Sequence, residues 1–127
     1  HSTSNPASIS QKAGCAALSA PDDFCIKVAG EFEKRREYAI SRLAGIERLS
    51  YFTPQGAFYI FCDISKTGLD SVTFAGRLLD EAYVSLVPGL PFGRDDSVRI
   101  SFACDIKQIE KGMDRLGEWV KQLPKKY

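Results

Sequence analysis

The chain has 127 residues, 44% of them hydrophobic, and a net charge of +1 with both signs interspersed. That length carries one domain with a real core and is too short for two ordinary ones. The charge balance offers no face to nucleic acid or an anionic membrane, no apolar run approaches the roughly 20 residues of a membrane span, and no secretory signal pattern opens the chain.

Residues 1–5 (H-S-T-S-N) form a polar lead-in. Asn5 suits a helix N-cap and Pro6 the first helical position, where a missing N–H does no harm, so a helix is predicted from there to about Leu18. Its small residues, Ala13, Cys15, Ala16 and Ala17, stand around Ile9 and Leu18 and imply close packing against another element. The Ser19-Ala20-Pro21-Asp22 break precedes a longer helix predicted over residues 23–44. Val28, Phe32, Ala39 and Leu43 make its apolar stripe, and the charge run E-K-R-R-E its solvated side. Gly45 fits the position after the C-cap.

Residues 49–53 read as a short strand, Pro54-Gln55-Gly56 as a turn, and residues 57–62 (A-F-Y-I-F-C) as an unbroken apolar strand covered on both faces. After a loop at 65–68, Asp70 or Ser71 caps a third helix with Val72, Phe74, Ala75, Leu78, Leu79 and Ala82 inward. Residues 83–87 read as a strand and 88–96 (P-G-L-P-F-G-R-D-D) as a loop rich in turn formers. Residues 97–103 (S-V-R-I-S-F-A) alternate, with Val98, Ile100 and Phe102 on one face and Arg99, Ser101 and Ala103 on the other. Asp105 caps the last helix, with Gln108 at the capping-box position. Ile106, Ile109, Met113, Leu116, Val120 and Leu123 repeat at spacings of three and four as a core stripe, Pro124 ends the helix, and Lys125-Lys126-Tyr127 form a frayed tail. The order helix, helix, strand, strand, helix, strand, strand, helix reads as an α+β fold over 1–127, a two-layer domain whose small, mainly antiparallel sheet is packed with helices.

Arg99 is the residue that asks for an explanation. A guanidinium in mid-strand is costly without a partner, and its planar fork suits a carboxylate, either of the protein or of a ligand. Little else points to chemistry. No G-x-G-x-x-G, G-x-x-x-x-G-K-S/T or G-x-S-x-G motif is present. The single histidine, His1, is terminal, and no metal site can be built from the inventory. The lysines fall in polar loops or on charged helical faces, none framed as a desolvated Schiff-base amine. Cys15, Cys25, Cys62 and Cys104 form no C-x-x-C pair and read as buried, reduced thiols of a cytoplasmic protein.

Four stretches in series say more: T-S-N-P-A-S-I-S-Q-K-A-G-C-A-A-L at the start, P-Q-G-A-F-Y-I-F, V-P-G-L-P-F-G and V-R-I-S-F-A. In this order they resemble the C-terminal part of a class I/II aminotransferase of pyridoxal-phosphate fold type I, closest to the bacterial aspartate and aromatic enzymes. The resemblance runs from Ser2 to the last helix. It implies that Arg99 binds the α-carboxylate of an amino-acid or 2-oxo-acid substrate and that Phe58 and Tyr59 line the substrate side of the cleft. It also implies that the loop at 88–93 closes over substrate with Phe92 as an apolar wall. Thr3, Ser4 and Asn5 resemble the loop that reaches the cofactor region of the partner subunit in a homodimer. The lysine that bonds pyridoxal phosphate, the aspartate facing its ring nitrogen and most of the phosphate loop belong upstream of T-S-N-P in such enzymes. The resemblance therefore implies a fragment without most of its large domain, holding no catalytic residue, inactive alone and not expected to bind the cofactor. The loop G-R-D-D-S before Arg99 is short and acidic compared with the family pattern. A fold-type I lyase or synthase, such as a carbon–sulfur lyase, would share the arginine, and a stand-alone α+β binding module is the reading from another class.

Overall fold

The computed structural model describes residues 4–124; the expectations for His1, Thr3 and the tail at 125–127 lie outside them. In chain order the elements are α1 (Ser8–Leu18), α2 (Asp23–Leu43), β1 (Ser50–Tyr51), β2 (Tyr59–Asp63), α3 (Ser71–Ala82), β3 (Val87–Pro88), β4 (Ser97–Ser101) and α4 (Ile106–Gln122), with 3-10 turns at Ser65–Thr67 and Leu90–Phe92. The sequence of helices and strands is the expected one. Internal packing divides the chain into two units, His1–Gly30 and Glu31–Tyr127.

In the first unit α1 starts later than its Asn-Pro signal suggested. Ala7 is the N-cap, with no side-chain bond to close it, because the first helical turn hangs on the Ala7 carbonyl, which accepts from Gln11 N–H at 3.1 Å. Asn5 is therefore not the cap. The small residues of α1 do not pack as expected either: the helix buries no residue, and Leu18 is 91% exposed.

The second unit holds a sheet in the order β1-β2-β4-β3, antiparallel at every pairing. Alternation divides its two central strands cleanly. Ile60 and Cys62 of β2 and Val98 and Ile100 of β4 are buried, and they join one core with Leu43 of α2, Phe74 and Leu78 of α3, and Leu116 and Val120 of α4. This is the α+β, two-layer arrangement. The other sheet face carries Tyr59, Phe61 and Asp63 of β2 beside Arg99 of β4, all only half-buried. The expectation that β2 is covered on both faces fails there, since only its even-numbered side chains are buried.

The helix ends follow their capping chemistry. The Asp70 carboxylate accepts from Thr73 N–H at 2.8 Å at the start of α3, and Asp105 accepts from Gln108 N–H at 3.1 Å at the start of α4. On α3 the inward face is Ser71, Phe74, Ala75 and Leu78, a strict 3-1-3 spacing. Val72 and Leu79 flank that stripe and are 50% and 48% exposed, contrary to the expected inward set. Tyr83 ends α3 in the left-handed region (φ 57°), so the chain turns sharply and of the predicted 83–87 strand only Val87 is paired, in a short strand that runs on into Pro88. On α4, Ile106 is exposed and Trp119 joins the buried stripe. Gly45 has no positive φ; Arg48 takes that conformation instead (φ 69°). Its guanidinium reaches across to the carbonyls of Val120, Leu123 (3.3 Å) and Pro124 (3.2 Å), where a cation also favours the negative end of α4. Among the described residues no helix is long and apolar enough to cross a membrane.

Candidate functional site

Register brings the site together. The β2–β4 ladder sets Phe61 opposite Arg99, and Val87 of β3 pairs with Arg99 from the other side. Side chains at directly paired positions share a face, so Arg99 emerges in the middle of the uncovered side of the sheet. Tyr59 lies two residues along the same face of β2, and its ring centroid is 4.2 Å from Arg99 Cζ. Phe92, last residue of the 3-10 turn, puts its ring centroid 4.9 Å from the same atom. The guanidinium thus lies against two aromatic rings, a placement that favours a flat, weakly hydrated cation. Phe58 meets Tyr59 at a tilt with ring centroids 4.3 Å apart, and Phe61 meets Phe92 edge-on at 6.3 Å, so both rings beside Arg99 have aromatic neighbours. Ala57, just before Phe58, is held in the left-handed region (φ 56°), a local strain of about 1 kcal/mol that ends the P-Q-G turn.

Among the described residues the Arg99 side chain forms no ion pair and no hydrogen bond, and its Nε is buried without a partner. A buried donor left unpaired costs roughly 1–3 kcal/mol. The nearby carboxylates are all engaged elsewhere. Asp63 accepts from Ser65 N–H (2.9 Å) and Oγ–H (2.6 Å). Asp95 accepts from Ser71 Oγ–H at 2.7 Å. Asp96 grips Arg94 through two bonds of 2.8 and 3.1 Å, which holds its carboxyl below the usual range, with Ser97 adding to the effect. The fork of Arg99 can accept a carboxylate from outside the chain and has no carboxylate of its own.

Ser4 and Asn5, expected to reach toward a cofactor, lie in the first unit, exposed and ahead of α1. Every lysine among the described residues is exposed, including Lys12, Lys27, Lys34, Lys66, Lys107, Lys111 and Lys121. The thiols depart from expectation: Cys15 and Cys25 are exposed and Cys104 is partly so. Only Cys62 is buried, and burial, with the nearby Asp63 charge, pushes its thiol up to about 12. A groove of about 500 Å³ between the 83–86 segment and α4, lined by Leu86, Ile100, Cys104, Ile109 and Lys111, shares no residue with the Arg99 cluster. It presents no unpaired buried charge, so the cluster and not the larger hollow is the candidate site. Sequence reasoning missed the engagement of Asp95 with Ser71, a contact across 24 residues that no local motif announces.

Residues 1–116 match the family model for aminotransferase class I and II. The chain belongs to that family. It is 40% identical over 126 residues to an aspartate aminotransferase of Bacillus sp. (strain YM-2), covering 95% of this chain and 32% of the relative. A probable aspartate/prephenate aminotransferase of Rickettsia conorii is 38% identical over 133 residues, covering 97% of this chain and 33% of the relative. Among solved structures, the aspartate aminotransferase from Rhizobium meliloti superposes with a TM-score of 0.89 at 32% identity, over 97% of this chain and 33% of that one. The chain of this aminotransferase-family member spans about a third of the length of the curated relatives it matches. Membership implies pyridoxal phosphate as the cofactor of the parent proteins.

Proposed function

We propose that this chain is the small C-terminal domain of an aminotransferase of the aspartate or aromatic type, moving an amino group between an amino acid and a 2-oxo acid. In it Arg99 binds the substrate α-carboxylate. The observation that carries the reading is the guanidinium that lies against the rings of Tyr59 and Phe92 and pairs with no carboxylate of its own chain among the described residues. Phe58 and Phe92 then serve as apolar walls that keep water from the ion pair, where it is worth more than in bulk solvent. The described residues do not make a pyridoxal-phosphate site by themselves, since every lysine among them is exposed and the one unpaired buried cation donor at the sheet face suits a carboxylate. Cofactor chemistry is accordingly assigned to a large domain upstream. The role of Ser4 and Asn5 near a partner subunit's cofactor region, the homodimer and a cytoplasmic location belong to the same proposal. Four free thiols fit a reducing compartment.

The test is Arg99→Lys in the full-length enzyme. Lysine keeps the charge but loses the fork and the flat stacking, so kcat/KM for amino-acid substrates should fall about a hundredfold, about 2.7 kcal/mol of transition-state stabilisation. The visible absorbance of bound cofactor should stay the same. Unchanged kinetics would make Arg99 a structural cation and remove the basis of the reading.

A further inference from the structure

Phe92 reaches Arg99 because the loop from Gly89 to Ser97 is folded on itself and tied to α3. Gly89 N–H donates to Ser97 O at 2.8 Å, and the Gly89 carbonyl accepts from Phe92 N–H (2.8 Å) and Arg94 N–H (3.1 Å). A Cβ on Gly89 would drive into the backbone oxygens of Arg94 and Ser97, so only glycine lets the loop close. The outer tie is a side-chain pair. Ser71, the first residue of α3 and 0% exposed, donates its Oγ–H to Asp95 Oδ1 at 2.7 Å and its N–H to Asp95 O at 2.7 Å. The same Oγ accepts from Leu90 N–H at 3.1 Å. Leu90 opens the 3-10 turn that Phe92 ends. One buried hydroxyl thus joins a helix, a carboxylate and the turn that holds a ring against the guanidinium.

We propose that Ser71 and Asp95 are positioning residues for Arg99, fixing Phe92 so that the fork is held flat and open before a carboxylate arrives. The proposal rests on the reading of Arg99 as a carboxylate-binding group. Among the described residues the Arg99 guanidinium has no hydrogen bond to orient it, so its two ring contacts must. Tyr59 is set by the β2–β4 ladder, whereas Phe92 sits on a loop and depends on the tie. Preorganisation of this kind spares the ligand the cost of ordering the site. The loop at 88–93 is then a wall already in place rather than a flap that closes over substrate.

The readout is the Arg99 Nε–H resonance of the chain, identified by its disappearance in Arg99→Lys. Lying against two rings, it should appear upfield of an ordinary arginine. In Ser71→Ala and Asp95→Ala it should return toward the ordinary position. Asp95→Asn keeps an acceptor where Oδ1 stands and should leave it in place, a rescue that loss of general stability would not give. Ser71→Ala preserves volume, so it decides the matter if Asp95→Ala fails to fold. In the full-length enzyme Ser71→Ala should raise KM for the amino acid about tenfold with kcat within about twofold. An unshifted wild-type resonance, folded variants in which it does not move, or an unchanged KM would each overturn the proposal. Kinetics insensitive to Arg99→Lys, in an enzyme whose resonance does move, would place the failure in the reading of Arg99 and take the proposal down with it.

Discussion

Arg99 is distinguished by what surrounds its charge. Alternation along residues 97–103 was enough to place it on a face without apolar neighbours in its own strand, and its planar chemistry was enough to ask for a carboxylate. The two rings beside it come from β2 and from the loop before β4, and only the ladder register and the folded loop bring them together. The cysteines make the opposite point, because local apolar context read them all as buried while tertiary structure buries one. Their reactivity follows. Cys62 stays protonated across neutral pH and is shielded, while burial raises the Cys104 thiol above its ordinary value, with Asp105 adding to this and Arg35 opposing it. In a thiol titration of the folded chain at pH 8, Cys15 and Cys25 should react first, Cys104 more slowly, and Cys62 only after denaturant is added. A Cys62 that reacts as fast as Cys15 in the folded state would contradict its burial.

At the scale of the element, helices with strong caps and a clear stripe were legible, as were the turn at 54–56 and the loop at 88–96, and the reversal at Tyr83 was not. Asp70 and Asp105 cap where their sequence positions said they would, and Ile109, Met113, Leu116 and Val120 are buried as their spacing required. The predicted strand at 83–87 fails because Tyr83 adopts a left-handed conformation that no residue-level rule expects of a tyrosine. Trp119, absent from the expected stripe, is buried because its indole finds Phe74 edge-on at 5.0 Å and donates Nε1–H to Glu81 at 2.7 Å. The difference between stripe and flank is measurable by urea unfolding. Leu116→Ala, at 2% exposure, should cost about 2–5 kcal/mol, whereas Leu79→Ala should cost less than about 1 kcal/mol. Equal losses at both would mean that the buried face of α3 is misassigned.

At the scale of the molecule, three carboxyls held low among the described residues are spread across the second unit. Thr73 N–H lowers Asp70 at the start of α3, Arg77 and then Trp119 lower Glu81 where α3 meets α4, and Arg94 and then Ser97 lower Asp96 beside the sheet. Each has a folded pKa below its unfolded value of about 4. Their contribution is therefore fully present above that value and is lost as pH falls through the folded values. The melting temperature should be level near neutrality and drop below about pH 4, and Glu81→Gln should make that acid limb shallower; a limb of the same steepness would show that Glu81 takes no part in it. Length and charge bounded the chain well, but they could not show that its packing divides at Gly30, because that division depends on where α1 finds no buried neighbours. The sheet has one more consequence. Its outer members, β1 and β3, are two residues each, and Pro88 has no N–H to offer. A strand arriving from another molecule would find only a couple of hydrogen-bonding groups on either margin, too few to template a growing ribbon. The intact fold is thereby protected from polymerising along its own sheet, and assembly of that sort has to wait for the central strands to come apart.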